Sequence, residues 1–232
     1  MLKLIQFRLC PLSRSVRLAL AELDVPFELI DERPWEYRAQ FLALNPAGDL
    51  PVLQLEDGPV VCGHYAITEY LAEGARHQPA DATRSFHLLP GDREDRSEVR
   101  RIVDWFHGKL HREVTRELLA EKVEPRIAGK VEHTPDLDVM RAARANLRYH
   151  LGYLSFLADQ RRWLAGDEPS LADLAAAAHL STIDYLGEVP WEQFAPAKAW
   201  YQRVKSRRST RALLADRIPG LPPPVHYTDL DF

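Results

Sequence analysis

Cysteine, long apolar runs and surplus positive charge are all scarce in this sequence. Its 232 residues include only two cysteines, Cys10 and Cys62, too few for a disulfide framework or a four-ligand zinc site. No apolar run approaches the length of a membrane-spanning helix, and the first residues lack the apolar core of a signal peptide. The formal net charge of −4 does not favour nucleic acid as a partner. We therefore expect a cytoplasmic protein without membrane insertion.

The first third of the chain alternates strand-like and helix-like segments. Residues 2–7 and 26–30 are β-rich runs, and the apolar spacing between them predicts a helix. Residues 52–55 and 59–62 flank the turn signal Glu-Asp-Gly, and residues 66–73 have helical spacing. This order, βαβ followed by ββα, is typical of a thioredoxin-like fold.

After this part the pattern becomes helical. Apolar residues at three- and four-residue spacing predict long helices within residues 99–118 and 138–163. Ser170 and Asp173 have the spacing of a capping box, and an alanine-rich helix follows them. We therefore predict an α/β domain followed by an all-α domain.

The segments between and after these domains are rich in proline. Two prolines and a glycine interrupt the pattern before the first long helix, which predicts a linker. The last residues begin with four prolines within six positions, which favours an extended tail. The predicted divisions are an α/β domain at 1–76, a linker at 77–92, an all-helical domain at 93–218 and a proline-rich tail at 219–232.

Two motifs in the first domain resemble those of the glutathione S-transferase (GST) superfamily. Residues 45–53 read NPAGDLPVL, which is similar to the family pattern NPxGxVPxL. Residues 63–71 read GHYAITEYL, which is similar to ESxAIxxYL. The resemblance covers about residues 1–218. It implies the GST fold, a thioredoxin-like domain joined to an all-helical domain, with a cis peptide bond between Leu50 and Pro51.

The second motif departs from the family pattern where the family has Glu-Ser. The resemblance implies that this pair holds the γ-glutamyl end of glutathione. Here Gly63 has no side chain, and a protonated His64 would repel the ammonium group of glutathione. We therefore predict no glutathione cofactor and a degenerate glutathione site formed by Cys10, Leu50, Pro51, Gly63 and His64.

Cys10 keeps an enzymatic alternative open. The sequence CPLS that begins at Cys10 resembles the CPxS of single-thiol glutaredoxins and omega-type transferases, and a following helix would lower the pKa of its thiol. In that alternative the protein is a glutathione S-transferase or a glutathione-dependent thiol transferase, with Cys10 as its catalytic residue and glutathione as its cofactor. Otherwise Cys10 is a small residue at a turn, and we predict no catalytic residue. A redox pair with Cys62 is a further alternative.

Within the superfamily, the chain is similar to FtsZ-binding, GST-like proteins of bacterial cell division. The features that carry this similarity are the missing Glu-Ser pair, the CPLS turn, Trp35 in a loop and a tail that ends Asp-Leu-Asp-Phe. The similarity implies a homodimer that binds FtsZ filaments at the division site without glutathione chemistry. We expect FtsZ to bind a groove between the domains, with Trp35 on one side and Leu137 and Arg141, at a helix start, on the other. A general interaction protein on a GST scaffold is a third hypothesis.

The end of the tail combines apolar and acidic groups. The similarity implies that it binds another division protein, which would contact Tyr227, Asp229, Leu230, Asp231 and Phe232. The alternative is a strap that packs over the chain's own helices.

Two histidines on the first long helix have a spacing that suits metal binding. His107 and His111 are four residues apart, but no third ligand is evident in the sequence. We therefore predict that both lie on the helix surface and that there is no metal site.

Overall fold

The structure is a computed structural model that describes residues 1–77, 86–129 and 133–231. The first range forms a mixed sheet with flanking helices. Its elements are β1 (Leu2–Gln6), α1 (Pro11–Glu22), β2 (Phe27–Asp31), α2 (Ala39–Leu44), β3 (Val52–Gln54), β4 (Val60–Cys62) and α3 (His64–His77). The strand order is β2-β1-β3-β4, with β1 parallel to β2 and antiparallel to β3. The predicted thioredoxin-like order is confirmed.

The turn before β3 is held by its own side chains. Asn45 donates from its amide to the carbonyl of Asp49 at 2.8 Å and accepts from the N–H of Ala47 at 3.2 Å. Gly48 has a φ of +72°, which glycine adopts without a steric penalty. The Leu50–Pro51 bond that follows is cis, as the family resemblance implies.

The second part of the chain is helical. A continuous helix is formed by α4 (Arg93–Asp104), a π-helical segment (Trp105–Thr115) and α5 (Arg116–Lys122). It is followed by α6 (Glu124–Ile127), α7 (Leu137–Gln160), α8 (Leu171–Tyr185), α9 (Ala195–Lys205) and α10 (Arg211–Leu214). The predicted long helices are confirmed. None of the helices in the described ranges is both long and apolar enough to cross a membrane.

The buried helix α8 is the centre of the helical domain. Every residue of α8 is buried, and the helix begins with the predicted capping box. The Asp173 carboxylate accepts from the N–H of Ser170 at 3.0 Å, from the N–H of Leu164 at 3.0 Å and from the indole of Trp200 at 2.9 Å. Helix α1 packs on α8, where Thr182 donates to the carbonyl of Leu9 at 3.1 Å. The domain interface is therefore built on two buried helices.

Most of the tail is a strap that packs on the helical domain. Tyr227 is fully buried, and its hydroxyl donates to the carbonyl of Leu213 at 3.1 Å. Lys205 donates to the carbonyls of His226 and Asp229. Our prediction that Tyr227 is an exposed contact residue is therefore wrong, because the domain itself takes up this ring.

Beyond the strap, the tail reaches solvent. Leu230 is 43% exposed and Asp231 is exposed, whereas Phe232 lies outside the described residues. Much of the predicted linker also lies outside the described residues. Its last part packs closely, because Phe86 and Leu88 are buried and the Leu88 carbonyl accepts from the N–H of Leu171. The predicted domain boundaries stay predictions.

Candidate functional site

A cavity of about 660 Å³ lies between the two domains. Four of the five residues predicted for the degenerate glutathione site line it, and the fifth, Pro51, is buried at the start of β3. The helical domain supplies the opposite wall. The residues of that wall are His111, Arg116, Leu119 and Glu124. The sequence motifs did not place any of these four residues at this site.

Gly63 occupies the position where the family pattern has glutamate, and the space beside it is open. Gly63 has a φ of +85°, and apart from its two chain neighbours no described residue has an atom within 4 Å of the place where a Cβ would stand. Its N–H donates to the carbonyl of Pro51 at 3.0 Å. Residue 63 therefore contributes no side-chain acceptor, although Asp49 and Glu124 bring carboxylates to other parts of the cavity wall.

His64 begins α3 and turns towards the helical domain. Its ring lies edge-to-face with that of His107, with centroids 4.6 Å apart. Burial lowers the pKa of His64, more than the nearby Asp104 raises it. His64 is therefore neutral at pH 7 and would repel an ammonium group only at lower pH.

Both cysteines line the cavity, and both are free thiols. Cys10 is the N-cap of α1, yet burial raises the pKa of its thiol more than the N–H groups of Ser13 and Leu12 lower it. Burial also raises the pKa of Cys62. The expected activation of Cys10 by the helix N-terminus is wrong, because the cost of burying a thiolate exceeds the helix effect.

Trp35 lies on a 3₁₀ turn (Pro34–Glu36) at the edge of the cavity. Its ring packs edge-to-face on Phe7, with centroids 5.0 Å apart. Its indole Nε1 is buried and has no hydrogen-bond partner in the part of the chain that the structure describes. Trp35 thus packs on its domain, and because its N–H group is buried, a binding partner could contact only the ring.

Leu137 and Arg141 lie on the first turns of α7 and not in the cavity wall. The Leu137 side chain is 72% exposed, and the exposed guanidinium of Arg141 pairs with Asp138 at 2.6 Å. The N–H of Asp136, just before this helix, donates at 2.9 Å to Glu121 of α5. The start of α7 therefore adjoins the helix that lines the cavity, but the structure does not bring Leu137 and Arg141 into the cavity beside Trp35.

A cluster of histidines connects the cavity to the domain interface. His107 shares a 3.0 Å hydrogen bond with His179, and its other ring nitrogen is 3.1 Å from the Ser15 hydroxyl. The His111 ring packs on His179 at 5.6 Å. Our prediction of surface positions for His107 and His111 is wrong, because partners on α1 and α8 enclose these rings. We call His64, His107, His111 and His179 the histidine cluster.

The histidine cluster is held in its neutral form. Burial is the main cause that lowers the pKa of all four rings, to about 4 for His111 and well below the ordinary value for His107 and His179. Within the described ranges, no group of three or more side chains is arranged to hold a metal ion. The cluster therefore makes the domain interface sensitive to acid.

Two family models match this chain. The model for the glutathione S-transferase N-terminal domain matches residues 9–73, and the model for the C-terminal domain matches residues 124–208. The first match includes the cavity residues from Cys10 to Ala66, and the second includes Glu124 and the buried helix α8.

Individual proteins are similar along almost the whole chain. FtsZ-localized protein A of Caulobacter vibrioides is 47% identical over 229 residues, which cover 97% of this chain and 96% of that protein. The solved structure of FzlA from C. crescentus has a TM-score of 0.90 at 46% identity and covers 100% of this chain and 99% of that one. A glutathione S-transferase structure from Sinorhizobium meliloti 1021 has a TM-score of 0.93 at 45% identity, with both chains covered completely.

The histidine cluster predicts that acid destabilises the fold. The pKa of His111 is about 4 in the folded chain and near its ordinary value of 6.5 in the unfolded chain. Below pH 6.5 the unfolded state therefore binds more protons than the folded state. The stability of the fold that depends on a neutral His111 is complete above that pH and is lost as the pH falls towards 4. At a pH of about 5, His111 alone should lower the free energy of unfolding by about 2 kcal/mol.

Urea unfolding at pH values from about 7.5 to about 5 measures this loss, because most carboxylates titrate below that range. His111→Gln should make the pH dependence shallower. His87→Gln, at an exposed histidine, should leave it unchanged. A free energy of unfolding that stays constant over this range would contradict the prediction.

Proposed function

Because this chain belongs to the glutathione S-transferase family and is similar to FtsZ-localized protein A along nearly its whole length, we propose that it is a non-enzymatic FtsZ-binding protein. In this proposal it associates with FtsZ filaments at the division site as a homodimer and promotes cell division. The observation that carries the proposal is the 47% identity over 97% of this chain and 96% of that protein.

The chemistry of the cavity supports a role without catalysis. Gly63 offers no acceptor for an ammonium group, and Cys10 keeps its proton at neutral pH because burial raises its pKa. A thiol transferase needs a thiolate as its nucleophile. The enzymatic alternative depends on Cys10 and is therefore the weaker of the two hypotheses.

Two separate surfaces suit FtsZ binding. Trp35 offers a large, partly exposed ring at the edge of the cavity, which is typical of an interface anchor. Leu137 and Arg141 offer an exposed apolar side chain and an exposed guanidinium one turn apart on α7. We propose that FtsZ contacts both surfaces.

The outer face of α7 is suited to the homodimer contact. Tyr149 and Phe156 are each 61% exposed, seven residues apart on the same helix. Two further exposed tyrosines, Tyr65 and Tyr70, lie on α3. Exposed aromatic side chains that lie on one helix face are typical of protein interfaces.

The double variant Leu137→Ala/Arg141→Ala should bind FtsZ filaments about tenfold more weakly, because hot-spot side chains dominate interfaces. Its melting temperature should stay unchanged, since both side chains are exposed. Co-sedimentation with polymerised FtsZ measures the affinity. Arg148→Ala, an exposed arginine two turns further along α7, is the matched control and should bind like the unmodified protein.

Trp35→Ala should also weaken binding, and it should lower the melting temperature slightly through the lost contact with Phe7. Trp35→Phe keeps a ring against Phe7 but presents a smaller ring surface, so it separates packing from recognition. Wild-type co-sedimentation by all of these variants would place the FtsZ surface elsewhere, and a failure of the unmodified protein to co-sediment would overturn the proposal.

The enzymatic alternative predicts glutathione binding, and our proposal predicts that it is weak. A missing charge-assisted hydrogen bond costs about 1.5–3 kcal/mol, or roughly ten- to a hundredfold in affinity. Isothermal titration calorimetry at neutral pH measures the affinity of the protein for glutathione. Micromolar binding that weakens in Cys10→Ala would favour the enzyme instead.

We also propose that the exposed end of the tail binds another division protein. The strap ends where Asp229 is held by Lys205, so the contact would use Asp229, Leu230 and Asp231, with Phe232 as its continuation. Carboxylates beside an apolar side chain suit a basic, apolar-lined site.

Deletion of residues 230–232 should impair division in cells without unfolding the protein, because Tyr227 and the strap remain. Light scattering should still give a homodimer, and FtsZ co-sedimentation should persist. Tyr227→Ala is the contrasting variant, which should unfold more easily because it opens a buried cavity. Normal division with the truncated protein would remove the case for a tail partner.

A further inference from the structure

A second cavity, of about 710 Å³, also borders Phe7 but is separate from the candidate site. Four arginines from different parts of the chain line it. They are Arg8 after β1, Arg33 after β2, Arg126 on α6 and Arg217 after α10. We call this cavity the arginine groove.

Two carboxylates also line the arginine groove, but both already have cationic partners. Asp31 accepts from Arg8 at 3.0 Å and from the amide of Gln6 at 2.5 Å. The Glu32 side chain is only 3% exposed and is held by Arg38, whose hydrogen bond lowers the pKa of Glu32. These acidic groups therefore neutralise Arg8 and Arg38 and leave the remaining arginines of the groove charged.

Arg126 and Arg217 have no carboxylate partner in the described parts of the chain. Both side chains are exposed. The Nη1 amino group of Arg217 donates to the carbonyls of Leu214 and Asp216, at 2.8 and 2.7 Å, which fixes its position without neutralising its charge. Among the residues that the structure describes, Arg33 pairs only with the exposed Glu36, and such surface pairs contribute little free energy.

Buried charges behind the arginine groove strengthen its positive potential. The Asp216 carboxylate accepts from three guanidinium groups, those of Arg8, Arg14 and Arg17. Arg14 and Arg17 are buried, so solvent screens their charges weakly. The groove is therefore locally positive in a chain whose formal net charge is −4.

The arginine groove also has apolar walls. Ile127, Ile218 and Pro219 line it beside Arg126 and Arg217. Its volume far exceeds that of a phosphate ion, and Arg33, Arg126 and Arg217 come from separate parts of the chain. This combination fits a chain that carries several carboxylates and an apolar side chain.

We propose that the arginine groove docks an extended acidic peptide segment of a partner protein. Carboxylates of the segment pair with Arg126 and Arg217 through the forked geometry that guanidinium groups favour. An apolar side chain of the segment packs on Ile127 and Ile218. The chain's own tail is not the occupant, because Asp229 is bonded to Lys205 and lines a different cavity.

Fluorescence anisotropy with a labelled peptide of alternating glutamate and leucine tests this proposal. The matched peptide with glutamine in place of glutamate should bind at least about tenfold more weakly, since its carboxylates are gone. Affinity for the acidic peptide should fall as NaCl rises from about 50 to about 200 mM. The assay contains no FtsZ, so its result is independent of the proposed function.

The double variant Arg126→Glu/Arg217→Glu should lose at least about tenfold in affinity, and Arg126→Gln/Arg217→Gln should lose less. Arg112→Glu/Arg148→Glu changes the net charge equally at exposed positions outside the groove and should lose no more than about twofold. Circular dichroism and melting temperature verify that each variant is folded.

Three results would overturn the proposal. One is equal affinity for the acidic and glutamine peptides. Another is an equal loss of affinity in the groove variant and the control variant, which would indicate non-specific attraction. The third is binding of inorganic phosphate or ATP at Arg126 and Arg217 without binding of the acidic peptide.

Discussion

One buried carboxylate connects the two domains and the tail. Asp216, just after α10, accepts from Arg17 at 2.7 Å and from Arg14 at 3.4 Å, and both arginines lie on α1 of the thioredoxin-like domain. Arg14 also donates to the hydroxyl of Tyr227 in the strap at 3.2 Å. Loss of one partner from such a buried ion pair leaves an uncompensated charge, which typically costs about 3–5 kcal/mol. The relative position of the domains, and with it the shape of both cavities, depends on this contact.

Helix α1 is therefore both a structural and a functional element. Its N-cap is Cys10, in the wall of the candidate site, and its second turn carries Ser15, which contacts the histidine cluster. Its arginines reach Asp216 behind the arginine groove. One helix thus couples the cavity, the acid-sensitive interface and the basic surface, so a displacement of α1 would alter all three together. A scaffold of this kind suits a protein whose activity depends on surfaces held in fixed positions.

The sequence predicted the fold well where the determinants are local. The motif before β3 and the capping box at Ser170 both act within a few residues, and the structure has both as expected. The predictions failed where the partner is remote. Tyr227 and His107 looked exposed because their partners, Arg14 and Ser15, lie 213 and 92 residues away. The prediction that the pKa of the Cys10 thiol is lowered failed for the same reason, since the burial of this thiol depends on tertiary packing. The spacing of apolar residues also did not indicate that part of this helix is π-helical.

The contact between Arg14 and Tyr227 has a consequence for the order in which the protein matures. Asp216 and Tyr227 follow Arg14 in the chain by 202 and 213 residues, so they leave the ribosome much later than Arg14. Its guanidinium is fully buried in the finished structure, and a buried charge without partners is unstable. The first domain therefore cannot reach its final packing before Asp216 and Tyr227 have been synthesised. Completion of its fold has to wait until these residues have left the ribosome and packed on Arg14.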